Sequence, residues 1–340
     1  MPPPRPSAVA LQPGHLPDDE LSVLAGEAAE ASGDVGRALD LAQRWGRRLP
    51  TPGAGRTAHL WAALATLGAV DLTVARVVEP HLDALAILAE PRAGTWGVWA
   101  AEGPGVRLRA DPTPDGCALT GRKPWCSLAA DLSHALVTAW VDDERRQLFA
   151  VDLRQSGVTP VDAPWVARGL PAVRSTPVDF DGVAATPVGD PGWYLRRDGF
   201  AWGGMGVAAI WYGAGVGIAR RLWCQAAGRE LDQIGQLFLG QVDAALTAAS
   251  SVLLAAAEAV DAGAIDGESG ALAALRVRQV VADAAETVLL AADHALGPAP
   301  LTAEDEHAGR VADLRVYLRQ HHAERDTAAL GRLVSGASPW

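Results

Sequence analysis

Gly121-Arg122-Lys123-Pro124-Trp125-Cys126-Ser127 lies near the middle of the chain, and its surroundings decide what the rest can be. Just upstream, Thr95-Trp96-Gly97-Val98-Trp99 is an alternating run that leads into Ala100-Ala101-Glu102-Gly103-Pro104-Gly105. Short β-type runs follow, interrupted at Asp115-Gly116 and at Gly121. The apolar run His134 to Val141 then stops at the turn residues Asp142-Asp143. Runs of this length bounded by turn formers read as strands. A small β-module therefore occupies the centre, with apolar helical segments before and after it.

Working outward, Gln147 to Leu153 adds a strand, and Trp140, Trp165 and Phe180 are expected to fill the module. Trp99 and Trp125 are the two tryptophans expected at a ligand. Before the module, residues 19 to 49 carry Leu21, Leu24, Ala28 and Ala31, then Leu39, Ala42 and Trp45, at helical spacing, with Gly33 as a break. Thr57 to Leu67 is again helical. Asp71 is the expected N-cap of a helix to Ala89 that contains Glu79-Pro80-His81-Leu82-Asp83. Pro80 is expected to kink or end that helix, and His81 to be a structural histidine bonded to a backbone carbonyl rather than a base.

After the module the composition shifts to small residues over 199 to 228. Gly213-Ala214-Gly215-Val216-Gly217 invites a dinucleotide-fold reading, but residue 218 is Ile and no second βα unit follows. A helix that packs closely through its small residues fits better. Gln236 to Ala262 and Ala271 to Leu296 read as long bundle helices, the second ended by Gly297-Pro298. Thr302-Ala303-Glu304-Asp305 is close to a capping box and is expected to open a last helix running to about Leu330. Val311, Leu314, Leu318 and His321 would share one face of it.

The composition sets outer limits. With 340 residues, 49% of them apolar, there is ample material for a core. A formal charge of −11 argues against a nucleic-acid surface and offers no polybasic membrane patch. Cys117, Cys126 and Cys224 lack metal or disulfide spacing and read as free thiols of a cytoplasmic protein. No membrane insertion and no metal site are expected; His321 and His322 are adjacent and diverge by about 100° on a helix. Met1-Pro2-Pro3-Pro4-Arg5-Pro6 opens a segment, 1–17, read as a disordered Pro-rich tail.

The motif Gly-x-Lys-x-Trp-x-Ser between two strands, with the later run Ser175-Thr176-Pro177-Val178-Asp179-Phe180-Asp181-Gly182-Val183, resembles the middle domain of acyl-CoA dehydrogenases. The resemblance spans roughly residues 55 to 330. It implies an α+β, mainly α fold: a short N-terminal helical domain (18–93), a β-barrel or sandwich middle domain (94–190) and a C-terminal four-helix bundle (196–335). It implies FAD as cofactor, with Trp125 and Ser127 against the flavin ring, the Ala100-Ala101 turn meeting it through backbone groups, and Trp99 nearby. His294 and Gly297 fall where the family makes a cross-subunit FAD contact, which implies a homodimer or homotetramer. The family's phosphate-contacting Arg is absent from Gln233 to Leu237, with Arg229 nearby.

The implied activity is dehydrogenation of a small-molecule acyl-CoA or a related substrate. The family's catalytic Glu is replaced by His321. Some flavin-dependent monooxygenases that share the fold carry a His there, so a monooxygenase or oxidase is the alternative expectation. A non-catalytic partner subunit is the third.

Overall fold

A computed structural model describes residues 7–12, 14–90, 92–114, 116–228 and 230–336. Four helices open the chain: α1 (Asp19–Glu30), α2 (Val35–Trp45), α3 (Thr57–Val70) and α4 (Leu72–Leu88). Asp18, Asp34 and Asp71 cap three of them, each accepting from the third residue on, with Asp71 Oδ1 2.8 Å from the Val74 N–H. Gly33, at φ 70°, makes the turn between α1 and α2. Pro80 lies inside α4, which continues past it to Leu88, so it does not end the helix.

The strands follow: β1 (Trp96–Trp99), β2 (Leu108–Thr113), β3 (Gly116–Ser127), β4 (His134–Trp140), β5 (Arg146–Asp152), β6 (Val158–Pro160) and β7 (Ser175–Val188). The pairing runs β4-β2-β3-β7-β5 and returns from β5 to β4, so the sheet closes on itself, with β1 and β6 added alongside. The closure is narrow, since β2 meets β4 only at Arg109 and Trp140. Phe149, Phe180, Leu119 and Val178 fill the interior. Trp140 and Trp165, expected there too, are only half-buried. Trp140 is sandwiched near Arg107 and Arg146, and Trp165 borders a groove with Asp162, Pro171 and Arg174.

The C-terminal helices are α5 (Trp193–Arg196), α6 (Asp198–Gly228), α7 (Gln233–Asp261), α8 (Gly267–Leu296), α9 (Pro298–Ala303), α10 (Asp305–Tyr317) and α11 (Glu324–Val334). The small-residue stretch is indeed one helix, α6, and its reason is contact. A Cβ on Gly213 would overlap the Ala65 carbonyl of α3, and one on Gly68 of α3 would overlap the Ile210 carbonyl of α6. Backbone meets backbone there, and α3 is buried all round.

Three expectations need correction. The last helix does not run to 330: it ends at Tyr317, passes through a 3-10 turn (Leu318–Gln320), and restarts after Ala323 at φ 46°. Tertiary hydrogen bonds support the break. Arg278 donates to the Gln320 carbonyl (2.9 Å), and Asp326 accepts the His322 N–H (3.0 Å). Glu304 precedes α10 without a side-chain cap and instead holds Arg221 in a bidentate pair, both contacts at 2.8 Å. In the expected N-terminal tail, residues 1–6 and 13 lie outside the described residues, as do Arg229 and Asp115. Ala8, Val9 and Leu11, however, are buried, and the Val9 N–H donates to Thr66 Oγ1 at 2.9 Å.

Candidate functional site

The heart of the β3 motif is a buried ion pair. Lys123 is 1% exposed, and its Nζ donates to Glu102 Oε1 (2.6 Å) and to Thr138 Oγ1 (2.8 Å). Glu102 also accepts from Trp140 Nε1 (3.2 Å) and Arg146 Nη1 (3.1 Å). Burial alone would raise the Glu102 carboxyl; the donors around it, Lys123 foremost, bring it below its ordinary range. Burial pulls the Lys123 ammonium down against the same pairing. This knot joins β1's end, β3 and β4, and it fixes the turn that carries Ala100 and Ala101.

Above the knot, the pairing of β3 with β7 slips between Lys123 and Cys126. The bulge puts Trp125 at φ 58° and leaves it 59% exposed, an indole held away from the core. Left-handed backbone at a non-glycine residue costs about 1 kcal/mol or more, and such strain gathers at functional sites. Cys126 turns inward, fully buried, with its thiol pushed up by burial. Ser127 Oγ lies 2.8 Å from Ser175 Oγ, which also donates to the Val173 carbonyl (3.2 Å). That leaves Ser127 as donor to Ser175, with its own lone pairs free as acceptors.

Trp99 behaves differently from the expectation. It is 2% exposed, and its Nε1 donates to the Ser127 carbonyl (3.2 Å), so it props the rim from beneath and presents no open face. His294 is exposed at the end of α8 and packs edge-on against Phe238, their ring centroids 5.8 Å apart; Gly297 ends the helix at φ 66°. α8 packs on α6, α7 and α11, and no hydrogen bond links His294 or Gly297 to the Trp125 rim within the described residues.

The second part of the site is helical and was not anticipated. On α4, Arg76, Glu79 and Asp83 fall on one stripe and are largely buried. Arg76 Nη1 lies 3.0 Å from Glu79 Oε2, their side chains 11% and 14% exposed. Asp83 Oδ1 accepts from Arg197 Nη2 at 3.1 Å, at the start of α6. Burial raises the Glu79 carboxyl to about 7, and the neighbouring Asp83 charge adds to the rise while Arg76 opposes it. Asp83 is raised by burial as well.

Arg76 stacks over the Tyr317 ring (5.0 Å), and the Tyr317 hydroxyl is buried without a hydrogen-bond partner. Tyr317 meets Trp211 edge-on at 6.2 Å, and Trp211 meets His321 edge-on at 6.1 Å. Trp211 Nε1 and His321 Nε2 are also buried and unpartnered.

His321 therefore does reach the buried face shared with Val311, Leu314 and Leu318, but from an extended residue (φ −81°, ψ 120°) and not from a helix. Burial keeps it neutral, lowering its pKa, and nearby Arg278 pushes the same way. Asp326 Oδ2 stands 4.0 Å from His321 Nε2, with the His322 N–H already in its grasp. His81, by contrast, faces away from this group. It is 2% exposed, its pKa falls to about 4 through burial, and its Nδ1 lacks the carbonyl partner expected for it.

One apolar cluster ties α4 to the strands and to the Ala100 turn. Trp96, Ala84, Ile87, Leu136, Leu148 and Tyr194 pack together, with Ala100 at the margin. Asp83 and Arg197 stand beside Tyr194. A wide cleft of about 1350 Å³ opens elsewhere, among α3, α4, α6 and α10. Its charges are largely occupied: Arg221 with Glu304, Arg310 with Glu306, and Arg220 with the carbonyls of Ser7 and Ala8. No three metal-binding side chains converge among the described residues.

No protein-family model and no curated protein matches the chain. Solved structures do. The chain is similar to TdsC, the dibenzothiophene monooxygenase of Paenibacillus sp. A11-2, as crystallised with FMN and indole: TM-score 0.73, 18% identity, 93% of this chain and 96% of that one covered. It is also similar to KijD3 in complex with FMN and a dTDP-linked amino-keto sugar, at TM-score 0.74, 17% identity and coverage of 93% and 92%. A third is the nitrososynthase of Micromonospora carbonacea var. africana, at TM-score 0.73, 18% identity and coverage of 91% and 93%. The fold is acyl-CoA dehydrogenase-like, as the β3 motif implied.

Proposed function

We propose that the chain is a flavin-dependent oxidoreductase of the monooxygenase or oxidase kind, acting on a small molecule, and that its flavin is FMN. The observation that carries this is position 321. In acyl-CoA dehydrogenases a carboxylate is the usual base that removes the carbon-bound proton, at the position the resemblance aligns with 321. By the sequence resemblance that position is His321 here, buried and with its pKa lowered by burial, and Asp326 beside it is engaged with the next residue's backbone.

The rim suits a flavin ring. Trp125 is an exposed, strained aromatic with no core role, Ser127 has free acceptor lone pairs, and Glu102 fixes the Ala100-Ala101 turn. When bound, the flavin would supply electron transfer and oxygen chemistry. Trp125 would stack on it, Ser127 and the Ala100-Ala101 backbone would orient it, and the apolar wall from Trp96 to Tyr194 would exclude water. His321, uncharged, would hold or donate a proton from Nε2. FMN is preferred over the expected FAD because the chain retains little of the phosphate-contact motifs implied for FAD, and because TdsC and KijD3 were solved with FMN.

A homodimer accords with α7, which is long and apolar enough to cross a membrane yet little buried in one chain, with Ile234 and Leu237 exposed. The test is spectroscopic. Protein reconstituted with FMN is expected to be yellow, to stay oxidised on anaerobic addition of butyryl-CoA or octanoyl-CoA, and to bleach with dithionite and recover in air. Bleaching by an acyl-CoA would restore the dehydrogenase reading, and protein that retains neither FMN nor FAD would leave a partner subunit.

A further inference from the structure

We propose that Glu79 is a catalytic proton-transfer residue facing the substrate, with Arg76 as its positioning residue, and that the substrate is a neutral small molecule whose reacting atom carries an exchangeable proton. The proposal rests on the flavoenzyme reading above and names a group at the same site.

The geometry comes first. Two acids and two guanidiniums, Glu79 with Arg76 and Asp83 with Arg197, are drawn into a junction where α4, α6 and α10 meet. Buried ion pairs are seldom a gain in stability over apolar packing, so a set of this size on a helix otherwise facing the core calls for a role. Around it are donors with nothing to donate to: the Tyr317 hydroxyl, Trp211 Nε1 and Arg197 Nε are buried and unpartnered. Tyr317 and Trp211 are 1% and 0% exposed, so bulk solvent does not reach them. Unpaired donors and a buried acid together describe a place that a polar ligand completes.

Charge sets the ligand class. With Arg76 balancing Glu79 and Arg197 balancing Asp83, a ligand bringing net charge would enter a buried site uncompensated. A neutral molecule would not, and Trp211, Tyr317 and Tyr194 provide aromatic wall for a flat one. The groups that face Glu79 are Arg76 and Asp83 on its own helix, Tyr317 of α10, and Tyr194 and Arg197 beside Asp83. Their balance leaves Glu79 titrating near neutrality, where a proton acceptor works best. In the step, the substrate's X–H bond breaks, its electron pair stays on X, and the proton forms an O–H bond with ionised Glu79. No electrons are exchanged.

The experiment uses 4-nitrophenol, a flat phenol whose ionisation is visible, as probe with the wild-type protein, Glu79→Gln and Glu79→Asp. At a pH below its own pKa, saturable binding to wild type is expected to turn the probe yellow as Glu79 takes its proton. Glu79→Gln is expected to bind it without colour, and Glu79→Asp to restore part of the change. A second readout needs no ligand. The melting temperature of Glu79→Gln relative to wild type should rise with pH across about pH 4.5 to 7, because only the wild type buries an ionising acid. Absence of saturable binding, or equal colour with Glu79→Gln, overturns the proposal, as does a melting difference that does not change with pH. Flavin content is measured on the same samples. Loss of flavin with an intact Glu79 effect would fault the flavoenzyme reading alone, and retained flavin without a Glu79 effect would fault this inference alone.

Discussion

Lys123 Nζ and Glu102 Oε1 stand 2.6 Å apart, the lysine almost wholly buried beneath the rim from which Trp125 projects. Removing the carboxylate strands an ammonium with only Thr138 beside it. Glu102→Ala is therefore expected to cost about 3–5 kcal/mol in urea unfolding. A cost under about 1 kcal/mol would mean that the pair does not organise the turn.

Trp125 should show the opposite profile. Its side chain packs little and its backbone is strained, so Trp125→Gly should leave stability unchanged or raise it by about 1 kcal/mol. Flavin retention should fall by roughly a stacking contact, about tenfold or more. Measured by gel filtration followed by absorbance, unchanged flavin content would remove Trp125 from the site.

His321→Ala is expected to keep flavin content while lowering oxygenated product by about 10²–10⁴-fold, the usual share of one acid–base group. Oxygen uptake should continue uncoupled and release peroxide. Normal coupling in the variant would reduce His321 to a packing partner of Trp211.

His81 and Glu79, two residues apart on α4, should tilt stability with pH in opposite senses. Folding depresses His81 to about 4, so its contribution is full above its unfolded pKa of 6.5 and is lost as pH falls toward 4, roughly 3 kcal/mol in all. Folding raises Glu79 to about 7, so its contribution is full below 4.5 and is lost as pH rises through 7. The wild type hides both slopes by adding them. Relative to wild type, His81→Gln should grow less stable from about pH 4.5 to 7, because it alone lacks the His81 slope; a flat difference from wild type would refute the His81 assignment.

Much of the fold could be read from the chain because its signals are local. Asp71 before an apolar helix, Gly33 between two amphipathic runs and the turn residues around the β3 motif each act within a few residues. The Trp125 rim was legible for the same reason. Arg76, Glu79 and Asp83 were not, because helical periodicity assigns charged residues to water, and only the arrival of Arg197 and Tyr317 makes that stripe an interior. The one available signal was two carboxylates four residues apart within an apolar run. The break at Tyr317–Ala323 has no Gly or Pro to announce it; a hydrogen bond donated by Arg278 to the Gln320 carbonyl and one accepted by Asp326 from the His322 N–H accompany it.

The backbone contact between α3 and α6 at Gly213 and Gly68 has a consequence during synthesis. The ribosome releases α3, apolar on every side, well before the whole barrel and then α6 have been made. At about 5–20 residues per second the wait is on the order of ten seconds. Through that interval α3 has only its neighbours α1 and α4 to pack on, and the face that α6 will cover stays open, a ready handle for a holding chaperone. The amino-terminal helices cannot finish folding as an early unit, and they settle only when the second half of the molecule closes over them.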